Sequence, residues 1–161
     1  MEYTPVILFA FNRPERLKAI IESLLQNEEA KHSVLYVFVD GPRFQRKGEV
    51  ESVEKVRDYV KSITGVKEVH IVGFKSVNYT FSETNKGLGN SVIKGVTEVI
   101  NRYGKAIVLE DDLILAPNFL FFMNHGLDKY KDEKSVFSIC GYSNKVKVPK
   151  DYSYDTYFCT R

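Results

Sequence analysis

Apolar residues along this chain fall into two alternating kinds of run. Residues 5–11 (PVILFAF) are continuously apolar, the pattern of a strand covered on both faces. Pro14 then stands where a first helical residue belongs, with Glu15 in the first turn. Leu17, Ile20, Ile21, Leu24 and Leu25 follow at spacings that make one helical stripe. A second continuous run, residues 34–39 (VLYVFV), stops at Asp40-Gly41-Pro42, a turn signal. Val53, Val56, Val60 and Ile63 make a second helical stripe, and residues 69–74 a third strand. Gly87-Leu88-Gly89-Asn90-Ser91 opens a third helix, carried by Val92, Val96, Val99 and Tyr103. Residues 106–109 form a fourth strand that ends in Glu110-Asp111-Asp112. Pro117 starts a fourth helix with Phe119, Phe122, Met123, Leu127 and Tyr130 on its apolar face, and residues 136–140 read as a fifth strand.

Strands that alternate with helices predict a three-layer α/β/α domain with a mainly parallel sheet. Ligands of such sheets bind beyond the carboxyl ends of the strands. The residues to inspect are therefore Asn12 and Arg13, Asp40, the loop at residues 76–90, and Glu110 to Asp112.

Length and composition narrow the field. A chain of 161 residues is one domain, long enough to bury roughly two-thirds of its unfolded surface. A net charge of +2 carries no basic stripe of the kind nucleic-acid binders use. Three cations between Arg43 and Lys47 read as a solvated loop. Cys140 and Cys159 lie in no metal-ligand spacing and make no disulfide framework; Cys140, in an apolar run, reads as a small core residue. His32, His70 and His125 are scattered, against a zinc site. The apolar stretch 6–11 is too short for a signal peptide or a membrane span. The expected location is the cytoplasm, or a membrane surface reached through parts outside this chain.

Four segments could carry chemistry, each with a plainer alternative. Three adjacent carboxylates, Glu110-Asp111-Asp112, repel one another unless a cation offsets them. Glu110 and Asp112 point to the same side of an extended segment. Hard carboxylate oxygens suit Mg²⁺ or Mn²⁺, which bind through one or two carboxylates plus substrate phosphates. A solvated acidic turn is the alternative, and the place after a buried strand favours the metal. Arg13 could hold a phosphate or a base edge with its fork, or Asn12 or Arg13 could cap the helix that Pro14 begins. Asp40 could accept hydrogen bonds from a nucleoside, or simply make the turn before Gly41-Pro42. Both residues are expected at the surface, where substitutions change stability by less than about 0.5 kcal/mol. In Asn85-Lys86-Gly87-Leu88-Gly89-Asn90 the glycines allow close backbone approach to a ligand and Lys86 could meet a phosphate; the alternative is a helix start capped by Asn90 or Ser91. The spacing is neither a Walker P-loop nor a dinucleotide-binding GxGxxG.

Taken in order, these segments resemble one family. The stretch NKGLGNSVIKGVTEVINRYGKAIVLEDDLILAPNFLFFMNHGL resembles the sugar-nucleotide-binding core of bacterial glycosyltransferases. These are similar in turn to N-acetylglucosaminyltransferase I, whose Glu-Asp-Asp motif precedes a similar leucine and Ala-Pro run. PVILFAFNRPERL and VFVDGP fit the same pattern, so the resemblance covers about residues 4–142. It implies a GT-A fold, the Rossmann-like fold of nucleotide-diphospho-sugar transferases. It also implies metal-dependent, inverting transfer of a sugar from a nucleoside diphosphate donor, with uridine as the base, to a hydroxyl of a glycan or other acceptor. Asp112, the last acid of a variant DXD motif, would coordinate the Mn²⁺ or Mg²⁺ that bridges the donor diphosphate. Glu110 and Asp111 would contact donor sugar or ribose, or support the metal. Arg13 and Asp40 would hold the nucleotide, and Asn12, Lys86 and Asn90 would lie near it. In the family the chain continues into a segment that receives the acceptor, supplies the catalytic base and is rich in tryptophan. This chain has no tryptophan. The expectation is a single nucleotide-sugar-binding domain over residues 1–161, truncated before the acceptor part, with the base beyond Arg161 and no useful turnover by itself.

Two alternatives stand beside this. A nucleotidyltransferase builds a sugar-nucleotide site on a related sheet but wants a Gly-rich loop after the first strand, where this chain has Phe11-Asn12-Arg13-Pro14. A non-catalytic module could hold nucleotide or metal without transferring sugar. One built like a receiver domain would need its acids after the first strand, and here they follow the fourth.

Overall fold

The first apolar run forms β1 (Val6–Ala10), buried at every position, in a computed structural model that describes residues 2–72 and 85–142. Continuous burial follows from its central place. β1 pairs in parallel with β2 (Val34–Val39) on one side and with β4 (Ile107–Glu110) on the other. β2 pairs with β3 (Glu68–Val72), giving a four-stranded parallel sheet in the order β3-β2-β1-β4.

Alternation along each strand builds two cores. Val6, Leu8 and Ala10 join Leu35, Val37, Val39, Ile107 and Leu109 on one face. There they meet α1 (Pro14–Leu25), α2 (Glu49–Lys61) and α4 (Phe119–Lys129). Ile7, Phe9, Tyr36 and Phe38 meet α3 (Leu88–Tyr103) on the other face, through Val99 and the half-buried Val92, Val96 and Tyr103. The architecture is thus α/β in three layers, as predicted. The close seating of α3 depends on Gly95, where a Cβ would come within 2.9 Å of the Phe38 ring. Polar side chains stitch the chain after β4 to α1: Ser23 Oγ accepts from Leu115 N at 3.1 Å and Asn27 Oδ1 from Leu120 N at 2.9 Å. Among the described residues no helix is long and apolar enough to cross a membrane.

Several sequence expectations need correction. Residues 136–140 form no strand. Only Ile139 packs on the core, while Phe137 is fully exposed, so the alternation a strand needs is missing. Cys140 is exposed rather than buried; Cys159 lies outside the described residues. β4 is covered on one face only, with Val108 44% exposed, because α3 sits over β1 and β2. The buried face of α4 is Leu120, Met123 and Asn124, with Phe119 and Leu127 partly covered, while Phe122 is exposed. The helix begins at Phe119, not Pro117. β3 starts one residue early, at Glu68, and the predicted 73–74, like residues 76–84 of the predicted loop 76–90, lie outside the described residues.

Candidate functional site

Order β3-β2-β1-β4 means the chain runs outward from β1 through β2 to β3, then returns across to the far side of β1 as β4. Crossovers diverge at that point, and open parallel sheets bind their ligands beyond the carboxyl ends of the strands there, here those of β1 and β4. Arg13 follows β1 and Asp111-Asp112 follow β4, so the topology itself brings them together.

Arg13 sits at the N-cap of α1, where its carbonyl accepts from Leu17 N at 3.0 Å. Its side chain does no capping. Nη2 donates to Asp111 Oδ1, and Nη1 to Asp112 Oδ2 at 3.3 Å. The two acids differ sharply in exposure: the Asp111 side chain is 4% exposed and that of Asp112 37%. Burial pulls the Arg13 pKa down, but its bond to Asp111 and the charges of both acids outweigh this, so it ends above its ordinary value. The cation demanded by adjacent carboxylates is, in this structure, a guanidinium. Glu110 is exposed, opposite Phe9 in the ladder. Stability at Arg13 therefore cannot follow the surface-residue expectation, since removing it would strand the buried Asp111.

Asp40, half-buried after β2, holds the start of α3. Its Oδ1 accepts from Gly41 N and Lys86 N, both at 2.9 Å, and its Oδ2 from Gly87 N at 3.0 Å. Gly87, the N-cap, has no side chain of its own; the Asp40 carboxylate holds the backbone of the cap and of the residue before it, and Asn85 Oδ1 accepts from Gly87 N as well, at 3.2 Å. Asn85 adds a bond from Nδ2 to Gly41 O at 3.1 Å, and Asn90 Nδ2 donates to Lys86 O at 3.0 Å. Neither Asn90 nor Ser91 caps the helix: α3 begins before them, at Leu88. Lys86 is exposed at the same edge.

Asn12 joins a third group, which the sequence did not reveal. Its Nδ2 donates to Glu49 Oε2 at 3.1 Å. Glu49, 6% exposed at the start of α2, also accepts from Arg43 N at 2.8 Å, Nε at 2.9 Å and Nη2 at 2.6 Å. Arg43 lies 5.0 Å from the centroid of the Phe11 ring. Glu49 therefore ties the end of β1 to the loop after β2 and to α2. The loop from Arg43 to Lys47 is not all solvated: Arg43 is committed to this pair, while Arg46 and Lys47 are exposed. An acid in the first helical turn after a glycine was the available signal.

The Arg43 hydrogen bonds hold the Glu49 pKa at about 2, against burial and far below its ordinary 4.5. A carboxyl whose folded pKa is depressed stabilises the fold fully above its unfolded value and loses that contribution as pH falls through the folded one. The melting temperature of the native chain is therefore expected to fall between pH 4.5 and about 2 more steeply than that of Glu49→Gln. Parallel melting profiles for the two proteins across that window would show the pair to be idle.

Among the described residues no group of three or more His, Cys, Asp or Glu side chains is placed to cage a metal. Mg²⁺ and Mn²⁺ do not need one, since substrate phosphates and water complete their shells. Asp112 at the rim offers the hard oxygens such an open site uses. Asp111 Oδ2, buried without a hydrogen-bond partner among the described residues, marks a carboxylate whose charge is only partly met. The residues fit a metal held jointly with a phosphate ligand, not a closed structural site. Two surface depressions, of about 570 and 320 Å³, are lined by residues such as Glu28 and Pro117 or Val60 and Val69, none of them from this edge. No protein-family model matches the chain.

Proposed function

We propose that this chain is the donor-binding domain of a metal-dependent glycosyltransferase of GT-A type, which takes a sugar from a uridine diphosphate donor to an acceptor hydroxyl. The observation that carries the reading is the convergence of Arg13, Asp111 and Asp112 at the carboxyl ends of β1 and β4. Its supports are the EDDL and Ala-Pro run and the fit of these residues to a phosphate-bearing ligand. Asp112 would hold Mn²⁺ or Mg²⁺, which supplies Lewis-acid stabilisation of the leaving diphosphate. Arg13 presents a planar fork suited to a diphosphate. Asp40 contributes by fixing the backbone from Asn85 to Gly87, beside which Asn12, Lys86 and Asn90 would border the nucleotide. Asp111 positions Arg13, and Glu110 would contact donor sugar or ribose. No residue named here is offered as the base that deprotonates the acceptor.

A second reading, a nucleotide-binding module that uses no metal, draws on the ion pairs of Arg13, which already offset two of the three acids. Calorimetry decides between them. UDP is expected to bind in Mn²⁺ and to lose on the order of tenfold or more in affinity when EDTA replaces it. Equal affinity in both conditions would favour the module, and no UDP binding in either would remove the nucleotide reading.

A further inference from the structure

The Arg13 fork grips its two acids unequally. Nη2 is bound to a carboxylate that is almost wholly buried, whereas Nη1 reaches Asp112 at 3.3 Å, at a rim where both side chains are well exposed. An ion pair in water contributes little, so the Asp112 bond is easily exchanged. The Asp111 bond is not, because Asp111 Oδ2 has no partner among the described residues and Arg13 is the countercharge of that buried group. The backbone is fixed as well, since Arg13 is the N-cap of α1 and Pro14 follows it. Only the outer half of the guanidinium is free to change partners.

We propose that Arg13 is a resident counter-cation that exchanges: a divalent cation takes Asp112 from Nη1 while Nη2 stays on Asp111. This rests on the metal reading above. The guanidinium then stands beside the new cation with one side of its fork vacated. Two positive charges so close disfavour metal binding by itself, and an anion that touches both relieves the repulsion. Metal and phosphate ligand should therefore each strengthen the binding of the other, by the same factor in both directions. Arg13 is a positioning residue in this scheme: it makes the acid pair a poor metal site until a diphosphate arrives.

The test uses Arg13→Gln, which removes the charge and keeps an amide on a shorter side chain, and Arg13→Lys, which keeps the charge. Binding of Mn²⁺ alone, of pyrophosphate alone and of UDP in saturating Mn²⁺ is measured by calorimetry, with a melting curve to confirm that each variant is folded. Arg13→Gln is expected to bind Mn²⁺ alone about tenfold more tightly and UDP in Mn²⁺ about tenfold more weakly, a small part of what charges a few ångströms apart can exert. Arg13→Lys should bind Mn²⁺ as the parent does. If Arg13→Gln bound Mn²⁺ equally or more weakly, the exchange would be wrong while the metal site stood. If neither parent nor variants bound Mn²⁺, with or without UDP, the metal reading would fall and the exchange with it.

Discussion

Asp40→Ala should destabilise the ligand-free protein by about 2 kcal/mol, which is the range for leaving charge-assisted hydrogen bonds unmade in partly buried surroundings. The backbone N–H groups of Gly41 and Lys86 lose this acceptor, and that of Gly87 is left with Asn85 Oδ1 at 3.2 Å. Two of them lie just before α3, at its N-cap Gly87 and the residue ahead of it. Water can replace part of the loss because Lys86 is exposed, so the full sum of the bonds is not expected. Asp40→Asn keeps one side-chain oxygen and should lose roughly half as much. Urea denaturation without ligand measures both. A change below about 0.5 kcal/mol for the alanine variant would show that water serves these amides as well as the carboxylate does, and would restore the expectation for an ordinary surface position. The substitution also bears on function, because it loosens the loop from Asn85 to Gly87 that Asp40 holds. Weakened UDP binding with unchanged stability would instead place Asp40 in direct contact with the nucleotide.

What the sequence made legible was local periodicity. PVILFAF and VLYVFV became the two central strands because continuous apolar runs need cover on both faces, and β1 and β2 have it. The stripe from Leu17 to Leu24 became the buried face of α1 for the same kind of reason. Residues 136–140 are mostly apolar too, yet whether a run pairs depends on a neighbour that periodicity does not reveal. The candidate positions after β1, β2 and β4 were legible through topology alone: a parallel sheet places them at one edge. Their partners were not. Arg13 and Asp111 are 98 residues apart, and Asp40 and Lys86 are 46 apart. Nothing in the segment Asn12-Arg13-Pro14 announces that the arginine would turn back onto acids after another strand. Glu49 went unnoticed because a glutamate in a first helical turn is ordinary until Arg43 and Asn12 are seen to converge on it.

Asp112→Asn is expected to abolish metal-dependent UDP binding while leaving the fold intact. An amide oxygen still faces the rim, but it lacks the negative charge that makes a carboxylate a strong ligand for a hard dication. The fold should hardly notice. The Asp112 side chain is 37% exposed, and its contact with Arg13 Nη1 at 3.3 Å is of the surface kind that contributes about 0–1 kcal/mol. Removing one of two adjacent like charges returns part of that loss, and Asp111 keeps Arg13 for itself. Melting curves with and without Mn²⁺ plus UDP expose the difference. A ligand stabilises only the state that binds it, so at a hundred times its dissociation constant the parent should gain about 2.7 kcal/mol, and the variant almost nothing. A variant that melts well below the parent without ligand, and gains as much from Mn²⁺ plus UDP, would make Asp112 a structural partner of Arg13 and no more. A variant that melts with the parent and still gains as much would move the metal to another carboxylate, with the exposed Glu110 the first to replace.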